Sequence, residues 1–182
     1  MIIRPTKQPL LEIYADAEFG GTWNKETAED DPYTARSRIG YHIQYAGVPV
    51  WWVSKMATEI CLSTTGAEYV ALSEALRTGI PMLQLLQELH QKGFIPIPKE
   101  TAIHCKLFED NDGALELAKV PKMRPRTKHI NCKYHHFREF VQDPANRISI
   151  HPCASEDQLA DWLTKMPSHD LFHKARLQIQ GW

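Results

Sequence analysis

Apolar and polar positions alternate along residues 11–15 (LEIYA), and the pattern stops at Asp16 before a turn at Gly20-Gly21. That period of two predicts a short strand with a carboxylate where it ends. Residues 38–45 (RIGYHIQY) are rich in aromatic and β-branched side chains, Ala46-Gly47 makes a turn, and residues 48–55 (VPVWWVSK) return, which predicts a hairpin. From about residue 66 to 91 the period lengthens. Leu72, Ala75, Leu76, Gly79, Leu83 and Leu86 form one helical stripe, with Pro81 predicted to kink or split it. Residues 101–108 (TAIHCKLF) are largely apolar and predict a strand buried on both faces. Short helices are expected over 110–119, 131–142, 155–165 and 169–180, and a last strand over 147–151. The order β, β-hairpin, α, β, α, α, β, α, α predicts an α/β fold. Its sheet is mixed and five-stranded, an antiparallel hairpin start followed by parallel strands, with helices on both faces.

Composition narrows the class. With 43% hydrophobic and 24% charged residues the 182-residue chain reads as globular, long enough for one well-buried core. No apolar run approaches the roughly 18–20 residues of a spanning helix, and the first ten residues lack the apolar core of a signal peptide, so no membrane association is expected. Cys61, Cys105, Cys132 and Cys153 are widely spaced without a CxxC pair, which reads as reduced, intracellular cysteine. A net charge of −1 means that polyanion binding needs a local basic patch. The acidic stretch 20–36 reads as a solvated loop, and Trp51, Trp52 and Tyr45 as core or sheet-face packing.

The candidate chemistry lies in acids at element junctions. Asp16 ends the first strand, and Asp110 ends the buried strand. Asp157 opens the fourth helix, and Glu68 stands on the core-facing stripe of the long helix. A charged group on that stripe points toward the sheet, which is costly unless it is paired or metal-bound. Each acid also has a structural reading. Thr65-Gly66-Ala67-Glu68 and Ser155-Glu156-Asp157-Gln158 read as capping boxes, Asp110 as a helix cap and Asp16 as a turn residue. Four carboxylates around one sheet, without an obligatory His or Cys, suit two-metal phosphodiester hydrolysis. Hard Mg²⁺ prefers oxygen ligands, Mn²⁺ suits the same donors, and two ions about 3.5–4 Å apart activate a water and stabilise the leaving oxygen.

The stretches YADAEFGG, SRIGYHIQYAGVPVWWVSK, LSTTGAEYVAL, FEDNDGAL, RTKHINCKYHHFRE and DQLADWLTK, in that order, resemble the ribonuclease H domain of copia-type (Pseudoviridae) LTR retrotransposon polyproteins. The resemblance implies an RNase H-like fold and hydrolysis of the RNA strand of RNA–DNA hybrids during reverse transcription, leaving 5′-phosphate products. It implies two Mg²⁺ ions held by Asp16, Glu68, Asp110 and Asp157, with Asp16 bridging both. It implies a reverse transcriptase domain of the same polyprotein as partner, and a cytoplasmic virus-like particle, or the nucleus, as location. On this basis residues 10–166 form the catalytic domain, 1–9 a tether and 167–182 a C-terminal helical extension. Gly66 stands where family members often carry Glu. His151 is a candidate for the mobile proton-shuttling histidine of cellular relatives, with a structural strand-end role as its other reading.

The alternative is a catalytically silent RNase H-like domain that binds nucleic acid or braces a polymerase, against which the complete tetrad argues. Another nuclease or transposase on the same fold would lack the RTKHI and DQLAD segments. Residues 119–138 carry Lys119, Lys122, Arg124, Arg126, Lys128, Lys133 and Arg138 without an acid, a candidate phosphate-holding patch for the hybrid. His129, Cys132 and His136 could suggest zinc, but no second spaced pair completes a site, and packing against a neighbouring strand is the better reading.

Overall fold

The architecture comes from a computed structural model that describes residues 8–27, 30–120, 130, 132–166 and 168–180. The first strand, β1 (Leu10–Glu18), pairs antiparallel with β2 (Arg38–Tyr45), which pairs antiparallel with β3 (Val48–Met56). Ala46 and Gly47 both have positive φ, the backbone that a tight hairpin with native twist requires. β4 (His104–Glu109) lies parallel to β1, and β5 (Ile148–Pro152) parallel to β4, giving the order β3-β2-β1-β4-β5. The expected mixed five-stranded sheet is therefore present. β1 is longer than the sequence pattern predicts, because Ala17 and Glu18 keep pairing with Ile39 and Arg38. Asp16 thus sits inside the strand rather than at its end.

The helix α1 (Thr64–Gln91) crosses from the hairpin to β4. Its N-cap is Ser63, whose hydroxyl accepts from Gly66 N at 3.0 Å. Glu68 is therefore not the partner of a Thr65 capping box. Leu72, Ala75, Leu76, Gly79 and Leu83 are buried as the stripe predicts, and Leu86 packs partly against the same core. Pro81 does not split the helix. Its ring faces solvent, where water can satisfy the carbonyl that its missing N–H leaves unpaired.

Alternation sorts the two faces of the sheet. Leu11, Ile13, Ala15 and Ala17 of β1, with Cys105 and Leu107 of β4, are buried beneath α1 and α2 (Asp112–Lys119). The other face is covered by α4 (Asp161–Thr164). Gly40 of β2 lets α4 come close, since a Cβ there would lie 2.8 Å from both Leu163 Cβ and Thr164 Cγ2. β4 is not buried on both faces as predicted. Lys106 and Phe108 are only partly covered, because α4 is a single turn.

Two further expectations change with tertiary packing. The predicted helix over 131–142 divides into a 3-10 turn, Cys132–His135, and α3 (Arg138–Gln142), with Phe137 fully buried between them. The predicted helix over 155–165 divides into a 3-10 turn, Ser155–Asp157, and α4. Gln158 between them is buried and donates to the Ala15 carbonyl at 2.9 Å, tying this segment to β1. The terminal α5 (His169–Gln180) forms as predicted. Tyr45 packs partly against the core, but Trp51 and Trp52 are 49% and 60% exposed, because β3 is the edge strand of the sheet. Among the described residues no helix is long and apolar enough to cross a membrane.

Candidate metal centre

Parallel pairing of β1 and β4 brings their C-terminal ends to the same edge of the sheet. Tyr14 lies opposite Phe108, so two residues further on the same register aligns Asp16 with Asp110. Asp110 is not the cap of α2. Asn111 has that place, its side chain accepting from Ala114 N at 3.0 Å, and Asp110 is left free to face the site. The first turn of α1 adds Glu68. One carboxylate oxygen from each of Asp16, Glu68 and Asp110 lies within 4.8 Å of the other two. Asp16 is 0% and Glu68 5% exposed, whereas Asp110 is partly open to solvent.

Three carboxylates this close repel one another, and burial adds to the cost of ionising them. Desolvation, then the charges of Asp16 and Asp110, raise Glu68 to about 9, against a smaller opposing effect from the Ala17 N–H and Lys165. Desolvation raises Asp16 to about 6 even though the Thr164 hydroxyl and the Lys165 ammonium oppose it. Glu68 Oε2 is buried without a hydrogen-bond partner. A converging set of oxygen donors, mutually repelling and one of them orphaned, fits a hard divalent cation. Asp16, Glu68 and Asp110 are the residues that would hold it.

The elements around the site fix two of these acids. Thr164 Oγ1 donates to Asp16 Oδ2. Ser155 Oγ donates to Asp110 Oδ2 at 2.8 Å, so the hydroxyl of the supposed capping box holds Asp110 instead. Glu109, which the sequence pattern did not single out, is fully buried behind them. Its Oε1 accepts from Asn111 N at 3.1 Å, and burial and then the nearby Glu68 charge hold it well above the usual carboxylate range.

Asp157 does not join the three. It is exposed on the 3-10 turn and lines an open cavity with Tyr14, Cys153 and Leu159. Asp161 instead is linked to Asp16 through Lys165. Its Oδ1 lies 2.6 Å from Lys165 Nζ, which is 3.4 Å from Asp16 Oδ1. The i,i+4 spacing of Asp161 and Lys165 is visible in sequence, but such a pair ordinarily signals a solvated helix face. His151 is also away from the acids, sharing a 2.7 Å hydrogen bond with Ser149 and packing beside Phe108.

Lys122, Arg124, Arg126, Lys128 and His129 lie outside the described residues, as does the side chain of Cys132. Arg138 is not available to phosphate. It is buried, donating from Nε to the Tyr69 hydroxyl at 3.0 Å and from Nη2 to the Leu117 carbonyl. His135 and His136 pack against α1 rather than a strand, through Tyr69 and Ser73. Among the described residues only the acidic trio groups as metal ligands.

No family model matches the chain. It is 32% identical over 166 residues to the retrovirus-related Pol polyprotein from transposon TNT 1-94 of Nicotiana tabacum, covering 90% of this chain and 11% of that one. It is 33% identical over 169 residues to the corresponding polyprotein from transposon RE1 of Arabidopsis thaliana, covering 93% and 10%. The chain thus spans about a tenth of the length of the curated relatives it matches. Among solved structures, the N-terminal RNase H domain of Rv2228c from Mycobacterium tuberculosis superposes with a TM-score of 0.54 at 13% identity, over 92% of this chain and 96% of that one. LC11-RNase H1 in complex with an RNA/DNA hybrid gives 0.51 at 17%, over 84% and 92%.

Proposed function

The chain belongs to the Pol polyproteins of copia-type retrotransposons as an RNase H-like segment of them, and from that premise we propose that it cuts the RNA strand of RNA–DNA hybrids during reverse transcription. The observation that carries this reading is the convergence of Asp16, Glu68 and Asp110 to within 4.8 Å at the edge of the sheet. The likeness to an RNase H1 solved with a hybrid supports the substrate class.

Mg²⁺, two ions with Mn²⁺ as substitute, is the cofactor that this donor set favours; when bound it would supply an activated water and charge to balance the leaving 3′ oxygen. The chain's own groups prepare the place. Thr164 and Ser155 orient Asp16 and Asp110 by hydrogen bonds, which fixes ligand geometry before any ion arrives. Asp161, linked to Asp16 through Lys165, is the fourth acid in this reading, in place of Asp157. Glu109, fully buried beside Glu68 and held well above the usual carboxylate range by that burial, backs the site with a neutral carboxyl. Recognition of the hybrid would rest on backbone charge and groove shape rather than base edges. Residues 10–166 serve as the catalytic unit, with α5 as an extension; the polymerase portion of the polyprotein is the partner in this reading.

The test is cleavage of a labelled RNA–DNA hybrid with Mg²⁺ or Mn²⁺ by this chain and by Asp110→Asn. Metal-dependent cleavage that disappears in the variant, with its fold intact by circular dichroism, supports the reading. Hybrid binding without cleavage by the unaltered chain would favour the silent-domain alternative.

A further inference from the structure

Lys165 follows α4 directly, in extended backbone, and its ammonium turns back over the acidic site. Nζ lies 2.6 Å from Asp161 Oδ1 and 3.4 Å from Asp16 Oδ1. Asp16 is wholly buried, and its other oxygen already accepts the Thr164 hydroxyl. Both oxygens of the most buried ligand are therefore engaged by one short segment, residues 164–165. An ion coordinated between Asp16 and Asp161 would need the oxygen that Lys165 now holds. A lysine suits such exchange, because its ammonium is a compact charge on a flexible stem. Here the side chain is 44% exposed, so a path to solvent is open.

We propose that Lys165 is the built-in counter-ion of this site: in the metal-free protein its ammonium holds the place between Asp16 and Asp161 that a divalent cation takes, so that metal binding and withdrawal of Lys165 are one linked step. The inference rests on the metal-centre reading above. Its physical basis is direct. A singly and a doubly charged cation about 4 Å apart repel even with water-like screening, by enough to change affinity more than tenfold. The pair of oxygens that steadies the ammonium cannot steady both cations at that distance. Thr164 keeps its bond to Asp16 Oδ2 in either state, which leaves the carboxylate oriented when Lys165 departs.

The experiment is calorimetric titration of the full chain with MnCl₂ alone at low ionic strength. It compares the unaltered protein with Lys165→Met, Asp110→Asn and Lys92→Met. Lys92 pairs with Glu88 at the far end of α1, so its loss changes net charge equally without touching the site. The expected result is Mn²⁺ affinity raised on the order of tenfold or more in Lys165→Met, unchanged in Lys92→Met and lost in Asp110→Asn. Lys165→Gln gives a second test if the methionine variant folds poorly, with the same direction expected. Affinity that stays equal or weakens in both Lys165 variants, while Asp110→Asn abolishes binding, overturns the counter-ion inference and leaves the metal centre standing. An equal gain in Lys92→Met overturns it as a net-charge effect. Absence of Mn²⁺ binding by both the unaltered protein and the Lys165 variants overturns the metal centre and the inference together.

Discussion

Replacing Glu68 by Gln should make the metal-free protein more stable while removing a metal ligand. Glu68 is nearly inaccessible, and burial with the charges of Asp16 and Asp110 raises it from 4.5 to about 9. An unfolded chain releases that proton near pH 4.5, whereas the folded protein keeps it until about pH 9. Between those values the folded state binds one more proton than the unfolded state, so its stability falls as pH rises, by about 1.4 kcal/mol per pH unit for this group. At pH 7 the loss accumulated from pH 4.5 is about 3 kcal/mol. Glutamine has the same shape and no proton to release, and its amide can donate to neighbouring carboxylates. Urea denaturation in EDTA, at intervals from pH 5 to pH 8.5, should therefore find Glu68→Gln more stable by roughly 3 kcal/mol near neutrality. The advantage should grow with pH. With excess Mn²⁺ the order should reverse, because the unaltered protein gains binding energy that the variant lacks. A variant that is less stable in EDTA, or a difference that does not vary with pH, would refute the view of Glu68 as a buried acid under strain from its neighbours.

Three further outcomes follow from the same geometry. Metal binding should release protons, because Glu68 and Asp16 sit at about 9 and 6 without an ion and ligands must be deprotonated. Mn²⁺ titrations in two buffers of different ionisation heat should give close to one proton released at pH 7, with affinity rising toward pH 9. Gly40→Ala should lower stability by about 1–3 kcal/mol and weaken Mn²⁺ binding. The added Cβ would press on Leu163 and Thr164 at 2.8 Å and lift α4 from Asp16; denaturation and calorimetry measure the two effects. Arg138→Met should lose roughly 1.5–3 kcal/mol in urea denaturation. It deprives the Tyr69 hydroxyl and the Leu117 carbonyl of a charged donor at the junction of α1, α2 and α3.

Much of the site was legible before the structure, for reasons that are local. Asp16 and Asp110 end or follow apolar segments, and parallel strands must finish on the same side of a sheet. Glu68 was recognisable because a charge on the apolar stripe of a helix has nowhere to point but inward. The reading failed where residues with two plausible local roles met tertiary constraints. Ser155 reads as a cap, yet its hydroxyl holds Asp110. Asp157 reads as the first acid of a helix, yet Gln158 is drawn in to the Ala15 carbonyl and breaks that helix, so the new first turn begins with Asp161. Trp51 and Trp52 read as packing residues, yet the sheet ends at β3 and leaves them in water.

The sequence by itself determined the strands, the long helix and the family: alternation and helical stripes depend on a few neighbours and are written in short windows of the chain. The six ordered stretches were specific as a set. Tertiary structure alone decided that Asp161 rather than Asp157 is linked to Asp16, that Glu109 lies buried beside Glu68, and that Lys165 covers Asp16. The first and the last depend on how closely α4 approaches the sheet. That distance is set by the missing side chain of Gly40 and by one buried glutamine, far from Asp16 along the chain and adjacent to it only after folding.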